Sequence, residues 1–124
     1  MSTYQPDSVA WFEIGAERPE ETKRFYGELF DWTFGGADGG EMPYYEVTAP
    51  GADRPSGGIF ASMGRFPDYA TFYVVVEDVA VTLAKAESLG GKVLMPLTTS
   101  PGGLVFAQLS DSAGNRFGVF TPPA

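Results

Sequence analysis

Thr71-Phe72-Tyr73-Val74-Val75-Val76-Glu77-Asp78-Val79, running on to Leu89-Gly90-Gly91-Lys92-Val93, decides how the whole chain reads. Six residues rich in β-branched and aromatic side chains predict a strand. Asp78 then offers a carboxylate to the free amides of a first helical turn, so the spacing predicts a helix over 79–89 with Asp78 as N-cap. Val79, Leu83 and Ala86 fall on one side of that helix. Gly90-Gly91 supplies the backbone freedom that ends a helix.

Reading toward the C-terminus, Lys92–Leu97, Leu104–Ser110 and Arg116–Phe120 are three more extended runs. Asp111-Ser112-Ala113-Gly114-Asn115 forms a turn between the last two, with the Asp111 carboxylate placed to cap local amides. Reading toward the N-terminus, Arg65-Phe66-Pro67-Asp68 is a connector, and before it the same order is already present. Val9–Ile14 reads as a strand, with Phe12 and Ile14 on one face and Trp11 and Glu13 on the other. A helix follows, with Pro19 in its first turn and Glu20 and Glu21 at the positive end of its dipole. Thr22, Phe25, Tyr26, Leu29 and Phe30 recur at helical spacing and are expected to be its core stripe. Trp32–Phe34, Pro43–Thr48 and Gly58–Ser62 are extended, punctuated by Gly35-Gly36, Asp38-Gly39-Gly40 and Pro50-Gly51.

The chain therefore reads βαβββ twice, at a period of about 60 residues. The expected fold class is α+β: two βαβββ modules, over about 8–63 and 69–121, in one domain of residues 1–124. Their curved mixed sheets carry the helices on one face, and the other face encloses a cavity.

Composition removes several kinds of chemistry. The 124 residues hold 8 Lys+Arg and 16 Asp+Glu, a net charge of −8. That balance opposes nucleic acid and anionic lipid, both of which need neutralising cations. It favours solubility and admits cationic ligands. No cysteine is present, so thiolate nucleophiles and zinc-thiolate sites are excluded. No histidine is present, so a histidine-held metal and a Ser-His-Asp triad are excluded too. The opening Met1-Ser2-Thr3-Tyr4-Gln5-Pro6-Asp7 has no basic segment or apolar run, so no signal peptide is visible, and no stretch is long enough to span a bilayer. Cytoplasm is the expected location, without a membrane or nucleic-acid partner.

Three stretches resemble the vicinal-oxygen-chelate superfamily, which includes glyoxalases, bleomycin-resistance proteins and dioxygenases. They are Trp11-Phe12-Glu13-Ile14 with Phe25-Tyr26-Gly27-Glu28-Leu29-Phe30-Asp31-Trp32, then Tyr73–Val79 with Ala84–Val93, and Phe106–Gly118. Together, in this order and spacing, they are specific for the superfamily. The resemblance implies a divalent ion held by the opening and closing strands of each module. Those positions fall here near Trp11, Thr71, Gly118 and Phe60 or Ala61, and none offers a good ligand. The resemblance therefore implies no metal and no cofactor, and it speaks against glyoxalase, extradiol dioxygenase and epimerase activity. It is nearer to the hydroxylase-like and glyoxalase-like single-domain members. It also implies a homodimer.

The resemblance, whose ligand face runs through Trp11, implies that Trp11, Glu13 and Gly15 lie on the cavity face, and likewise Thr71, Tyr73 and Val75, and Arg116, Gly118 and Phe120. Glu13 is the most informative of these, because a carboxylate between Phe12 and Ile14 is costly to bury without a partner. It either contacts a ligand amine or hydroxyl, serves as a base of raised pKa, or pairs with Arg116 or water. Trp11 and Tyr73 either stack a planar or cationic ligand or pack the core. Tyr44 and Tyr45 point to opposite faces, one of them the cavity's, and Glu46 shares the face of Tyr44. Gln108 hydrogen-bonds a ligand or a backbone group. A carboxylate site for Mg²⁺ from Glu13, Glu46 and Gln108 would need all three on one wall.

The expected function is binding of a small organic molecule in a metal-free, aromatic-lined cavity by Trp11, Glu13, Tyr44, Thr71, Tyr73, Gln108, Arg116 and Phe120. Two alternatives stand beside it. One is a metal-independent lyase, isomerase or hydroxylase-like enzyme using Glu13 or Tyr73 for proton transfer. The other is an antibiotic-sequestering protein.

Overall fold

A computed structural model of the chain describes residues 5–36 and 43–123. The turn read at Asp38-Gly39-Gly40 and the start at Met1–Tyr4 lie outside the described residues. The elements follow the order β1 (Val9–Ala16), α1 (Pro19–Phe30), β2 (Thr33–Gly35), β3 (Tyr44–Thr48), β4 (Gly57–Ala61), β5 (Tyr69–Val75), α2 (Val79–Ser88), β6 (Lys92–Thr99), β7 (Val105–Ser110) and β8 (Arg116–Thr121). The fold is α+β, βαβββ repeated. Two compact units divide it, Trp11–Ala70 and the residues up to Ala10 together with those from Thr71 onward. They are called the first and second module below.

In the first module β1 runs parallel to β4, β3 is antiparallel to β4, and β2 is antiparallel to β3. In the second module β5 runs parallel to β8, β7 is antiparallel to β8, and β6 is antiparallel to β7. Each module is thus a mixed sheet in which the opening strand lies beside the closing one. A strand-to-parallel-strand return needs a long connection, and the helix with its two intervening strands provides it.

Period-two alternation then sorts the side chains. In the first module Ala16, Val47 and Ile59 form a buried cluster with Phe12, Ile14, Phe34 and Tyr45 packed against it. In the second, Val79 and Leu83 of α2 join Ala107, Leu109 and Val119. These are the helix-bearing faces. Trp11, Glu13 and Tyr44 lie on the opposite face of their sheet, as do Tyr73, Gln108 and Gly118 on theirs. The choice between Tyr44 and Tyr45 is settled here: Tyr45 packs with Val47 on the helix side, and Tyr44 faces away.

The caps behave as the residue types dictate. The Asp78 carboxylate accepts from the Val81 amide at 3.0 Å, and Gly90 closes α2 at φ 95°. Asp111 Oδ1 accepts from the amides of Ala113 and Asn115, each at 2.9 Å, and Asp111 Oδ2 accepts from the Asn115 side chain at 3.0 Å. These bonds hold the Asp111 carboxyl below its ordinary 3.8, the Asn115 side chain contributing most.

Helix α1 departs from expectation. Its Phe25, Leu29 and Phe30 are exposed, at 60%, 57% and 49%, so they are not core. The helix meets its sheet through a face rotated from the predicted stripe. Tyr26 stacks on Trp32 with ring centroids 5.1 Å apart. Gly27 brings the helix close to the Phe34 ring, 3.4 Å from where a Cβ would sit. Lys23 lays its stem against the sheet and sets its ammonium 3.9 Å from the centre of the Tyr45 ring. A glycine and a lysine thus take contact positions that hydrophobicity alone assigns to phenylalanine and leucine. Among the described residues no helix is long and apolar enough to cross a membrane.

Candidate functional site

Tyrosine rings lie flat on the helix-free faces because glycines lie beneath them. A Cβ at Gly58 would come within 2.2 Å of the Tyr44 ring, one at Gly15 within 2.1 Å of Tyr69, and one at Gly118 within 2.3 Å of Tyr73. Each ring fills the space that a neighbouring side chain would otherwise take, and each hydroxyl reaches a polar partner.

In the first module the Trp11 indole N–H donates to the Tyr44 hydroxyl at 2.9 Å. The Tyr69 hydroxyl donates to Glu13 Oε2 at 2.5 Å. Glu13 is only 6% exposed, and this bond offsets part of the cost of burying its carboxylate. A row of rings connects the two pairs. Tyr44 neighbours Phe60 at 6.4 Å, Phe60 stacks on Phe66 at 5.7 Å, and Phe66 neighbours Tyr69 at 6.4 Å. Trp11, Tyr44 and Phe60 are half-buried and Phe66 is exposed, so the row has a solvent-facing side.

In the second module Arg116 donates to Gln108 Oε1, and Gln108 Nε2 donates to the Tyr73 hydroxyl at 2.7 Å. Arginine only donates, so it fixes the orientation of the Gln108 amide, which in turn makes the Tyr73 oxygen an acceptor. Tyr73, Gln108 and Phe120 are buried, with Phe120 edge-on to Tyr73 at 6.3 Å. The Thr71 hydroxyl donates to the Arg116 carbonyl at 2.8 Å. Gln108 thus bonds the side chains of Arg116 and Tyr73.

The predicted residues accordingly gather in two groups, Trp11, Glu13 and Tyr44 in the first module and Thr71, Tyr73, Gln108, Arg116 and Phe120 in the second. Sequence reading missed Tyr69, Phe60 as an aromatic wall, and Phe66. The signal for Tyr69 was present: it shares strand parity with Thr71 and Tyr73, and β5 begins two residues earlier than predicted.

The positions that the resemblance assigns to metal ligands do not fit an ion. The Trp11 N–H is a donor, the Thr71 hydroxyl donates to a carbonyl, Gly118 has no side chain and lies under the Tyr73 ring, and Phe60 and Ala61 are hydrocarbon. Of the three residues considered for Mg²⁺, Glu13 accepts from Tyr69, Gln108 bonds Arg116 and Tyr73, and Glu46 is exposed. Among the described residues no three acidic, histidine or cysteine side chains come close enough to share an ion. A separate open groove lies between α1 and residues 68–70, walled by Ile14, Phe25, Tyr26 and Tyr69. Of the predicted ligand-binding residues, none lines it.

Residues 8–119 match the profile of the Glyoxalase/Bleomycin resistance protein/Dioxygenase superfamily. A glyoxylase-like domain-containing protein of Didymella fabae is 29% identical over 120 residues, covering 93% of this chain and 94% of the relative. The anthracycline biosynthesis protein DnrV of Streptomyces peucetius is 26% identical over 143 residues; 97% of this chain spans 49% of that protein. Among solved structures, a Streptomyces coelicolor methylmalonyl-CoA epimerase in complex with 2-nitronate-propionyl-CoA aligns with a TM-score of 0.70 at 13% identity, over 97% of each chain. At that identity the likeness is one of fold.

Proposed function

Because the chain belongs to the Glyoxalase/Bleomycin resistance protein/Dioxygenase superfamily, we propose that it binds a small organic molecule on the helix-free face of its first module, without a metal ion. The observation that carries this reading is the half-exposed ring row from Tyr44 to Tyr69, with Trp11 at one end and the buried carboxylate of Glu13 at the other. Ligand sites are mostly apolar and aromatic, with a few placed polar groups that fix orientation, and this face has that composition. The solved epimerase complex with a propionyl-CoA analogue supports small-molecule binding as a use of the fold. The donor roles of the Trp11 N–H and the Thr71 hydroxyl and the missing side chain at Gly118 support the metal-free part.

Native mass spectrometry of the protein as purified from cells tests the reading, paired with metal analysis. The expected result is a retained organic mass, lost in Trp11→Ala, and no stoichiometric transition metal. One tightly held ion per chain overturns it.

A second reading is metal-independent proton transfer. The Glu13–Tyr69 pair favours it, since a carboxylate and a phenol 2.5 Å apart can exchange a proton with a bound substrate. It requires turnover that is abolished in Glu13→Gln while binding survives. Both readings include a homodimer in the cytoplasm, which sedimentation and fractionation check.

A further inference from the structure

The open groove between α1 and residues 68–70 carries chemistry that the ring row does not use. Its volume of about 590 Å³ is a size that holds a small organic molecule. Ile14, Phe25, Tyr26 and Tyr69 give it apolar and aromatic walls. Phe25 meets Tyr26 edge to face and is 60% exposed, so much of its ring is open to a ligand. Two carboxylates flank these rings, Glu21 on α1 and Asp68 on the facing segment, and no lysine or arginine is among the residues that line the groove. Both are exposed to water, where a carboxyl group is charged at neutral pH. Residues 11–70 hold 11 Asp+Glu against 5 Lys+Arg, so most of the chain's net charge of −8 belongs to the first module. The field around the groove therefore draws cations and repels anions, a second copy of this acidic chain included.

We propose that this groove is a second binding site, for an organic cation with an apolar body. The body lies against Phe25 and Tyr26, and the cationic head sits at the rim between Glu21 and Asp68, still in contact with water. Attraction of this kind acts through charge and asks neither carboxylate to leave its partner. Asp68 Oδ1 keeps the Glu17 amide at 2.9 Å, and Glu21 keeps Arg18 at 3.5 Å. The Arg18–Glu21 pair is exposed on both sides and weak, and Arg18 competes with the ligand for the same carboxylate. The Phe25 ring adds a cation–π contribution. An open groove covers only one side of its ligand, so binding is weak and suited to titration by NMR. The proposal stands independently of the ring-row reading.

Three probes with one aromatic body test it against the full chain: naphthylmethylammonium, naphthylmethanol and naphthoate. Amide signals of Thr22, Phe25 and Ala70 report the groove, and the Trp11 indole signal reports the ring row. The ammonium should bind the groove about fivefold more tightly than the alcohol, two exposed charge contacts' worth, with naphthoate weakest. Combining Glu21→Gln with Asp68→Asn removes both charges, and the new amide oxygen can still accept from the Glu17 amide. In that variant the ammonium and the alcohol should bind alike. Arg18→Gln removes the competing cation and should enlarge the preference for ammonium. Phe25→Ala should weaken both probes, and Trp11→Ala should leave both groove affinities unchanged. Equal affinity for ammonium and alcohol in the wild type, a preference that survives the double variant, or the absence of groove shifts with any probe overturns the proposal and leaves the ring-row reading standing.

Discussion

Replacing Gly58 with alanine places one methyl group where the Tyr44 ring now lies, 2.2 Å from its nearest ring carbon. The backbone has no objection, because Gly58 is in regular β4 and its φ is not in the left-handed region. The cost comes from the ring, which must lift, losing sheet contact and the Trp11 hydrogen bond. Overpacking of this kind costs about 1–3 kcal/mol. Against it stands a gain of about 0.5–1 kcal/mol, because alanine loses less chain entropy than glycine in a strand. Gly58→Ala should therefore leave a net destabilisation of about 0–2.5 kcal/mol, centred near 1 kcal/mol, which at the centre lowers the melting temperature by several degrees in a chain of this size. In a Tyr44→Ala background the ring is gone and only the entropic gain remains, so the same substitution should stabilise by about 0.5–1 kcal/mol. Urea or thermal unfolding of the four proteins in this cycle reads the coupling directly. A stabilising effect of Gly58→Ala in the wild-type background, or the same effect in both backgrounds, would refute the ring-over-glycine account.

Three further outcomes follow from the same structure. Leu29→Ala should change stability by less than about 0.5 kcal/mol, since Leu29 is mostly exposed; a loss of about 2 kcal/mol or more, as for a core leucine, would mean α1 packs as the sequence first suggests. Ser62 is fully buried and its hydroxyl has no hydrogen-bond partner among the described residues, so Ser62→Ala should raise unfolding stability by about 1 kcal/mol, and a decrease would mean that the hydroxyl is bonded. Asp111 titrates below 3.8 in the fold, so its contribution is complete above that ordinary value and fades as pH falls through the lower folded value. The stability gap between wild type and Asp111→Asn should be steady at neutral pH and close in acid, and Asn115→Ala should move the Asp111 titration by NMR up toward its ordinary value.

Much of the architecture was legible because it rests on local chemistry. Asp78 caps the helix it precedes, Gly90 ends it, and the Asp111 turn is built from the bonds its residue types favour. Strand parity grouped Trp11 with Glu13 and Thr71 with Tyr73, and the resemblance, whose ligand face runs through Trp11, implied which face of the sheet they take. The burial of α1 was not legible. A helical wheel sees Phe25 and Leu29 but cannot know that Gly27 permits a close approach to Phe34, or that Lys23 covers Tyr45. Between Tyr44 and Tyr45 the sequence offered no choice, because both neighbours of a strand residue alternate and only the pairing with β4 assigns the faces. The Tyr69–Glu13 bond spans 56 positions, and hydrogen-bond direction depends on which partners meet across strands. No periodicity carries that information.

The two tryptophans, Trp11 and Trp32, lie on opposite faces of one sheet and make the account testable in a single NMR titration of the indole N–H signals. Adding 2-naphthol as a planar aromatic probe should shift the Trp11 signal and leave Trp32 in place, whereas equimolar zinc, manganese or magnesium should move neither. A Trp11 signal that responds to an ion and ignores the aromatic probe would contradict the claim that this face holds an organic molecule without a metal.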